Sequence, residues 1–240
     1  MRISKRVEAI FAFAAAMDNR GLRNTIHCVD RNVYIVNSDH SMILRFPLRQ
    51  SEVVFSKPIS FNANDYDSQN FEEIDGKIIF RTNSKNYERR KICGSVDTYS
   101  IKDLRKLYHK HLNTQALFYF SLSKDICSLI DEDLSHTEIS TEKGRLMIRQ
   151  RNVYSGNIIE VQSIEEGLLT NDPLPEFGPV ALKTKDFLSL FTFHEALNFS
   201  PTTDFVIVKE ARKGDFDGVL AFCKYDEIID LYKEDKKNGR

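Results

Sequence analysis

Two segments of this 240-residue chain recur about half its length downstream, in the same order and at nearly the same spacing. Ile3-Ser4-Lys5-Arg6-Val7-Glu8-Ala9-Ile10 aligns with Leu122-Ser123-Lys124-Asp125-Ile126-Cys127-Ser128-Leu129. Pro58-Ile59-Ser60-Phe61-Asn62-Ala63-Asn64-Asp65-Tyr66 aligns with Pro179-Val180-Ala181-Leu182-Lys183-Thr184-Lys185-Asp186-Phe187. The offsets are 119 and 121 residues, so one duplication of a unit spanning half the chain explains both. A duplicated chain predicts repeated architecture before it predicts catalysis. The length suits two ordinary domains, each with its own core.

Periodicity fills in each half. Ser4 is placed to cap a helix over 4–18, in which Val7, Ile10, Phe11, Ala14 and Met17 recur at spacings of three and four. Strand-like runs follow at 25–29, 33–36 and 42–46, separated by Asp30-Arg31-Asn32 and Asn37-Ser38-Asp39. Next come a strand over 53–61, a short helix over 64–71, and strands at 77–81 and 89–93, with Asp75-Gly76 as a turn. The second half repeats the order. A strand at 117–121 leads to a helix capped by Ser123, with Ile126, Leu129, Ile130 and Leu134 on one face. Strands at 137–140, 146–149 and 157–164, a loop over 167–178 and a strand at 180–182 lead to a helix over 184–197 and strands at 205–209 and 218–223. The expected fold is α+β: two tandem domains, 1–97 and 117–232, each a duplicated unit of one helix and antiparallel strands. An amphipathic connector over 98–116 joins them, and a charged tail covers 233–240.

The chemistry of known active sites is missing from this pattern. There is no P-loop, no G-x-G-x-x-G and no G-x-S-x-G, and Cys28, Cys93, Cys127 and Cys223 lack the close spacing of a zinc or redox pair. They read as reduced, buried small hydrophobes. In His109-Lys110-His111 the two histidines are two residues apart on a helix, so they diverge and do not converge on one ion. Asp125, Asp131, Glu132 and Asp133 cluster on a single element, whereas metal-dependent phosphodiester cleavage needs carboxylates from separate ones. No catalytic residue, metal or cofactor is expected. The apolar run 10–17 is too short to span a membrane and ends at Asp18-Asn19-Arg20, which favours a cytoplasmic protein. With 34 Lys plus Arg against 35 Asp plus Glu, bulk charge neither demands nor forbids nucleic acid.

Two tandem domains, each a pair of helix-plus-strand units, resemble the DNA sliding clamps, the polymerase processivity factors that include proliferating cell nuclear antigen and the smaller clamps of tailed bacteriophages. The helix starts Ile3-Ser4-Lys5, Leu122-Ser123-Lys124, Asn62-Ala63-Asn64-Asp65 and Lys183-Thr184-Lys185-Asp186 fall where that family begins its helices. The run Glu138 to Ile148, strand, charged turn and strand, is also clamp-like. The resemblance implies a non-enzymatic homotrimeric ring, helices lining the hole, that encircles duplex DNA without reading its sequence. It implies a replicative DNA polymerase and a clamp loader as partners, and the size suggests a bacteriophage protein acting in its host's cytoplasm.

That reading makes Lys5, Arg6, Arg20, Arg23, Lys124, Lys183 and Lys185 the DNA-facing candidates, since mobile, sequence-independent attraction to phosphate needs Lys and Arg on helix faces. An ordinary solvated helix face accounts for each of them equally well. The acidic stretch 64–73 and the carboxylates at 125 and 131–133 argue against a uniformly basic hole. The resemblance also implies an apolar groove for partner peptides beside the connector, formed by Val96, Leu104, Leu107, Tyr108, Ile229 and Leu231. The competing reading is a nucleic-acid-binding or nucleic-acid-processing protein on an unrelated α+β fold, with the basic connector as its contact surface.

Overall fold

The computed structural model describes residues 4–17, 24–37, 41–52, 58–63, 66, 70–74, 77–84, 87–92, 99–151, 158–161, 174–210 and 215–223. The chain divides into two compact units, Met1–Asn113 with Asp215–Val219, and Thr114–Gly214 with Leu220–Arg240.

In the first unit, helix α1 (Lys5–Ala16) begins at Ser4, whose hydroxyl accepts the Val7 N–H at 3.2 Å. Val7, Ile10, Phe11, Phe13 and Ala14 form its buried stripe. Strands β1 (Thr25–Val29), β2 (Asn32–Val36), β3 (Met42–Pro47) and β4 (Ile59–Asn62) lie in the order β4-β1-β2-β3, and Asp217–Val219, from β15 (Asp217–Ala221), follow β3. Residues paired across antiparallel strands share a face. Ile26 pairs with Ile35 and Phe61, and Val33 with Phe46, so this apolar face meets α1. There Phe11 lies 5.3 Å from Phe61, and Phe13 lies 6.4 Å from Phe46. Fully burying side chains of this kind stabilises by roughly 1.5–3 kcal/mol each.

The opposite face is mixed, with Val36 paired to Ile43 beside polar groups. His27 pairs with Tyr34 and Ser60, and Tyr34 with Arg45. Helix α2 (Tyr99–Leu112) covers it by placing Tyr108 against Tyr34, ring centroids 5.6 Å apart. The segment expected to connect two domains is therefore a helix packed within the first unit. Strands β5 (Asn70–Ile74), β6 (Lys77–Ser84) and β7 (Tyr87–Ile92) form a three-stranded meander.

The second unit runs β8 (Phe120–Ser123), a 3-10 helix (Lys124–Leu129), β9 (His136–Glu142), β10 (Arg145–Arg151), β11 (Ile158–Val161), β12 (Phe177–Lys183) and α3 (Thr184–Ser189). A 3-10 turn (Leu190–Thr192), β13 (Ala196–Pro201), β14 (Phe205–Glu210) and the end of β15 complete it. Its four-stranded sheet has the order β11-β10-β9-β12, which reproduces β3-β2-β1-β4. Even the register is kept: Ile26 pairs with Phe61, Thr25 with Asn62 and Cys28 with Ile59, while Thr137 pairs with Leu182, His136 with Lys183 and Ile139 with Val180. Both hairpins turn through two residues at positive φ, Asp30 and Arg31 in one, Lys143 and Gly144 in the other. That is the type I′ geometry that matches strand twist. The duplication seen in the sequence is thus a duplication of topology and register.

In the first unit β4, which opens the second motif, pairs with β1 of the first. In the second unit β8 pairs with β13, and β12 pairs with β9, so the two motifs exchange strands. Phe199 of β13 sits at the centre, stacked on Phe120 at 5.1 Å and near Phe187 and Phe191.

Three expected elements differ. The helix after Ser123 lasts six residues and ends at Ile130 in extended conformation. Beyond it the Asp131 carboxylate accepts the Asp133 N–H at 3.0 Å, the local side-chain bonding that competes with helix. The helix expected to reach residue 197 ends at Thr192. Leu190, Phe191, His194 and Leu197 fit a helical spacing, but Leu197, Phe199 and Pro201 are buried alternately in a strand. Asn70 and Phe71, expected in a second helix, belong to β5.

Gly178 lies in a register irregularity of β12 at φ +78°, and a Cβ there would stand 2.6 Å from the Ile139 carbonyl oxygen. Gly178→Ala therefore combines a left-handed residue with a clash against backbone. It should cost about 2 kcal/mol or more in urea unfolding; an unchanged midpoint would show that β12 does not hold this close approach.

Candidate nucleic-acid interface

Three helix starts carry the same two-residue pattern, a hydroxyl side chain followed by an exposed lysine. Ser4-Lys5 opens α1, Ser123-Lys124 opens the 3-10 helix, and Thr184-Lys185 opens α3. Each of these starts positions the lysine at the first turn, outside the buried stripe. Lys124 is 3.9 Å from the Glu195 carboxylate, a contact between two exposed groups that leaves the ammonium largely in water. Lys183 is the last residue of β12 and is half-buried. The outward stripe of α1 continues from Lys5 through Ala9, Ala12 and Ala16, with Glu8 beside it in the first turn.

Arg6 is placed differently. Its guanidinium donates to Glu52 Oε2 at 2.8 Å, to the Pro47 carbonyl at 3.1 Å and to the Asp215 carbonyl at 3.4 Å. Glu52, buried, also accepts the Ser4 hydroxyl at 3.2 Å and the Arg49 N–H at 2.7 Å. The acid thus ties the start of α1 to the 49–52 turn.

A second buried charge sits under α2. Arg45 Nε donates to Asp217 Oδ1 at 2.9 Å, a second guanidinium nitrogen engages Oδ2, and the Tyr108 hydroxyl donates to the same carboxylate. The Arg45 guanidinium also lies over the Tyr108 ring, 5.8 Å from its centroid. Burial works against the charge on Arg45, but the hydrogen bond and charge of Asp217 more than offset it, and its pKa rises. Burial, then the adjacent carboxylate, raises the Tyr108 phenol strongly, so it stays a neutral donor.

No protein-family model matches this sequence, and no curated protein does. Solved structures match it over most of its length. A Helicobacter pylori beta clamp in complex with 3,4-difluorobenzamide aligns with a TM-score of 0.61 at 12% identity, covering 93% of this chain and 65% of the clamp. The beta chain of DNA polymerase III from Streptococcus pneumoniae gives 0.63 at 9% identity, covering 92% and 63%. A chain of the PCNA2–PCNA3 complex of Sulfolobus tokodaii gives 0.50 at 11% identity, covering 92% and 99%. The chain has the sliding-clamp fold. It spans just under two thirds of the bacterial clamps' length and nearly all of the archaeal chain's.

Lys5, Lys124 and Lys185 are exposed at helix starts, and Lys183 is beside one of them. Arg6 is only partly exposed, its guanidinium engaged by Glu52 and two carbonyls. Arg20 and Arg23 lie outside the described residues, as do Val96, Ile229 and Leu231 of the expected peptide groove. Leu104 is in α2, and Leu107 on the same helix is 46% exposed. Tyr108 is corrected. It is fully buried on Asp217 and Arg45, and cannot form the wall of an open groove.

Sequence reasoning missed Glu52, Arg45 and Asp217. Arg45 and Asp217 are 172 residues apart, and no local pattern marks a pair of that separation. Among the described residues no group of three or more His, Cys, Asp or Glu is placed to hold a metal ion, and no helix is long and apolar enough to cross a membrane.

Tyr108→Phe keeps the ring over Arg45 and deletes one donor to a buried carboxylate. It should destabilise the chain by about 1–3 kcal/mol in denaturant unfolding. Wild-type stability in that variant would mean that the hydroxyl does not hold α2 to the sheet.

Proposed function

We propose that this chain is a sliding clamp: a non-enzymatic ring of three copies that encircles duplex DNA and tethers a replicative polymerase to it. The observation that supports this reading is the repeat of sheet order and register between the two units, with an exposed lysine at the starts of α1, the 3-10 helix and α3. Lysine at helix starts supplies weak, sequence-independent attraction to phosphate, which suits sliding better than base readout would.

The third strand of each motif suggests how copies join. β7, the third strand of the second motif, and β11, the third of the third, each end a sheet among the described residues. In the proposal, β7 of one copy lies along β11 of the next, a head-to-tail contact that generates a ring when its rotation closes. Each copy contributes four motifs, and three copies complete the hoop. The near-equal length of the Sulfolobus tokodaii chain supports a two-unit subunit. A Helicobacter pylori beta clamp of the same fold is bound to a DNA ligase peptide, which supports peptide-mediated docking of partners here, with a clamp loader among them.

Topological threading separates this reading from ordinary DNA binding. Once loaded, the protein should remain on nicked circular duplex and leave the same DNA when it is cut to a linear form. Combined Lys5→Glu, Lys124→Glu and Lys185→Glu should lower retention on circles about tenfold or more, alike for all sequences. Equal retention on circular and linear DNA would contradict encirclement.

A further inference from the structure

The carboxylates at 131–133 are unexplained by DNA binding, since they repel phosphate close to Lys124. They form one wall of a groove of about 580 Å³ between the 3-10 helix and α3. Its floor is apolar: Cys127, Ile130, Leu188 and Phe191. Asp131, Glu132 and Asp133, all exposed, stand along one side, and Lys124 lies at the margin. Two large apolar side chains next in sequence to the lining are also in solvent, Leu129 at 57% and Phe193 at 40% exposure.

The acidic wall is held in place from beneath. Gln150, with no exposed surface, accepts the Asp131 N–H at 2.8 Å and donates to the Asp131 carbonyl at 3.0 Å. A buried amide is thus committed to fixing the main chain of an exposed acidic turn. Three carboxylates facing an apolar floor complement a cation attached to a bulky apolar group.

We propose that this groove docks a basic amphipathic peptide of a partner protein. A Leu or Phe of the peptide lies on Ile130 and Phe191, and adjacent Lys or Arg side chains face Asp131, Glu132 and Asp133. The second unit is then divided between lysines for phosphate and an acidic groove for protein. This assignment does not depend on ring formation, and its test is separate from that of encirclement.

The probe is a short fluorescein-labelled peptide that alternates Lys or Arg with Leu or Phe, used on the full chain. A lysine–serine peptide of equal charge is the control. Cys127 provides a local readout in a Cys93→Ser, Cys223→Ser background, because Cys28 is buried. The amphipathic peptide should bind saturably and slow maleimide labelling of Cys127. Asp131→Asn with Glu132→Gln and Asp133→Asn should weaken binding about tenfold. If that variant fails to fold, Leu188→Lys, which sets a cation on the floor, should have the same effect. Equal binding of the lysine–serine peptide, unchanged Cys127 labelling, or Cys127 protection by duplex DNA instead would each overturn the proposal.

Discussion

Among the described residues, three of the motifs have their sheets completed by a strand of a neighbour. The opening strand of one motif completes the sheet of its neighbour, as β12 does for β9, β8 for β13 and β4 for β1. An isolated strand–helix–three-strand unit would leave an unpaired edge and an apolar face in water, and exchange with a second unit removes both liabilities. This dependence accounts for the conserved register between halves. A shift of one residue would turn every buried side chain of a strand to the wrong face.

Against that apolar framework the first unit places an ion pair under α2. A buried pair is weak evidence for stability in itself, because desolvation cancels much of its attraction, yet removing one partner leaves a costly uncompensated charge. Asp217 accepts from both Arg45 and Tyr108, so each of the three groups satisfies the others. Its neighbour Gly218 passes close to the sheet, where a Cβ would stand 2.7 Å from Leu44 Cδ2. A side chain directly after the acid would require Leu44 to shift.

Much of the fold was legible because its signals are local. The run Thr25–Val29 has the bounds read from alternation and the Asp30-Arg31 turn, and the repeated Ser-Lys placed two of the helix starts. The misreadings have one cause. Apolar spacing after Thr184 fits a helix through Leu197, and only the burial of Phe199 between Phe120 and Phe191 makes 196–201 a strand. Likewise the helix after Ser123 stops where Asp131 and the distant Gln150 capture the main chain. Of the candidate site, exposed lysines at helix starts follow from the repeat. The engagement of Arg6 and the burial of Tyr108 do not, since their partners Glu52 and Asp217 are 46 and 109 residues away.

A chain built of four such motifs leaves β7 and β11 as sheet edges among the described residues, and self-association offers both a partner. Light scattering across a concentration series, with and without nicked circular DNA, measures this directly. The account predicts a species of three times the 27.8 kDa chain mass. A single-chain mass at every concentration, on DNA and off it, would contradict it.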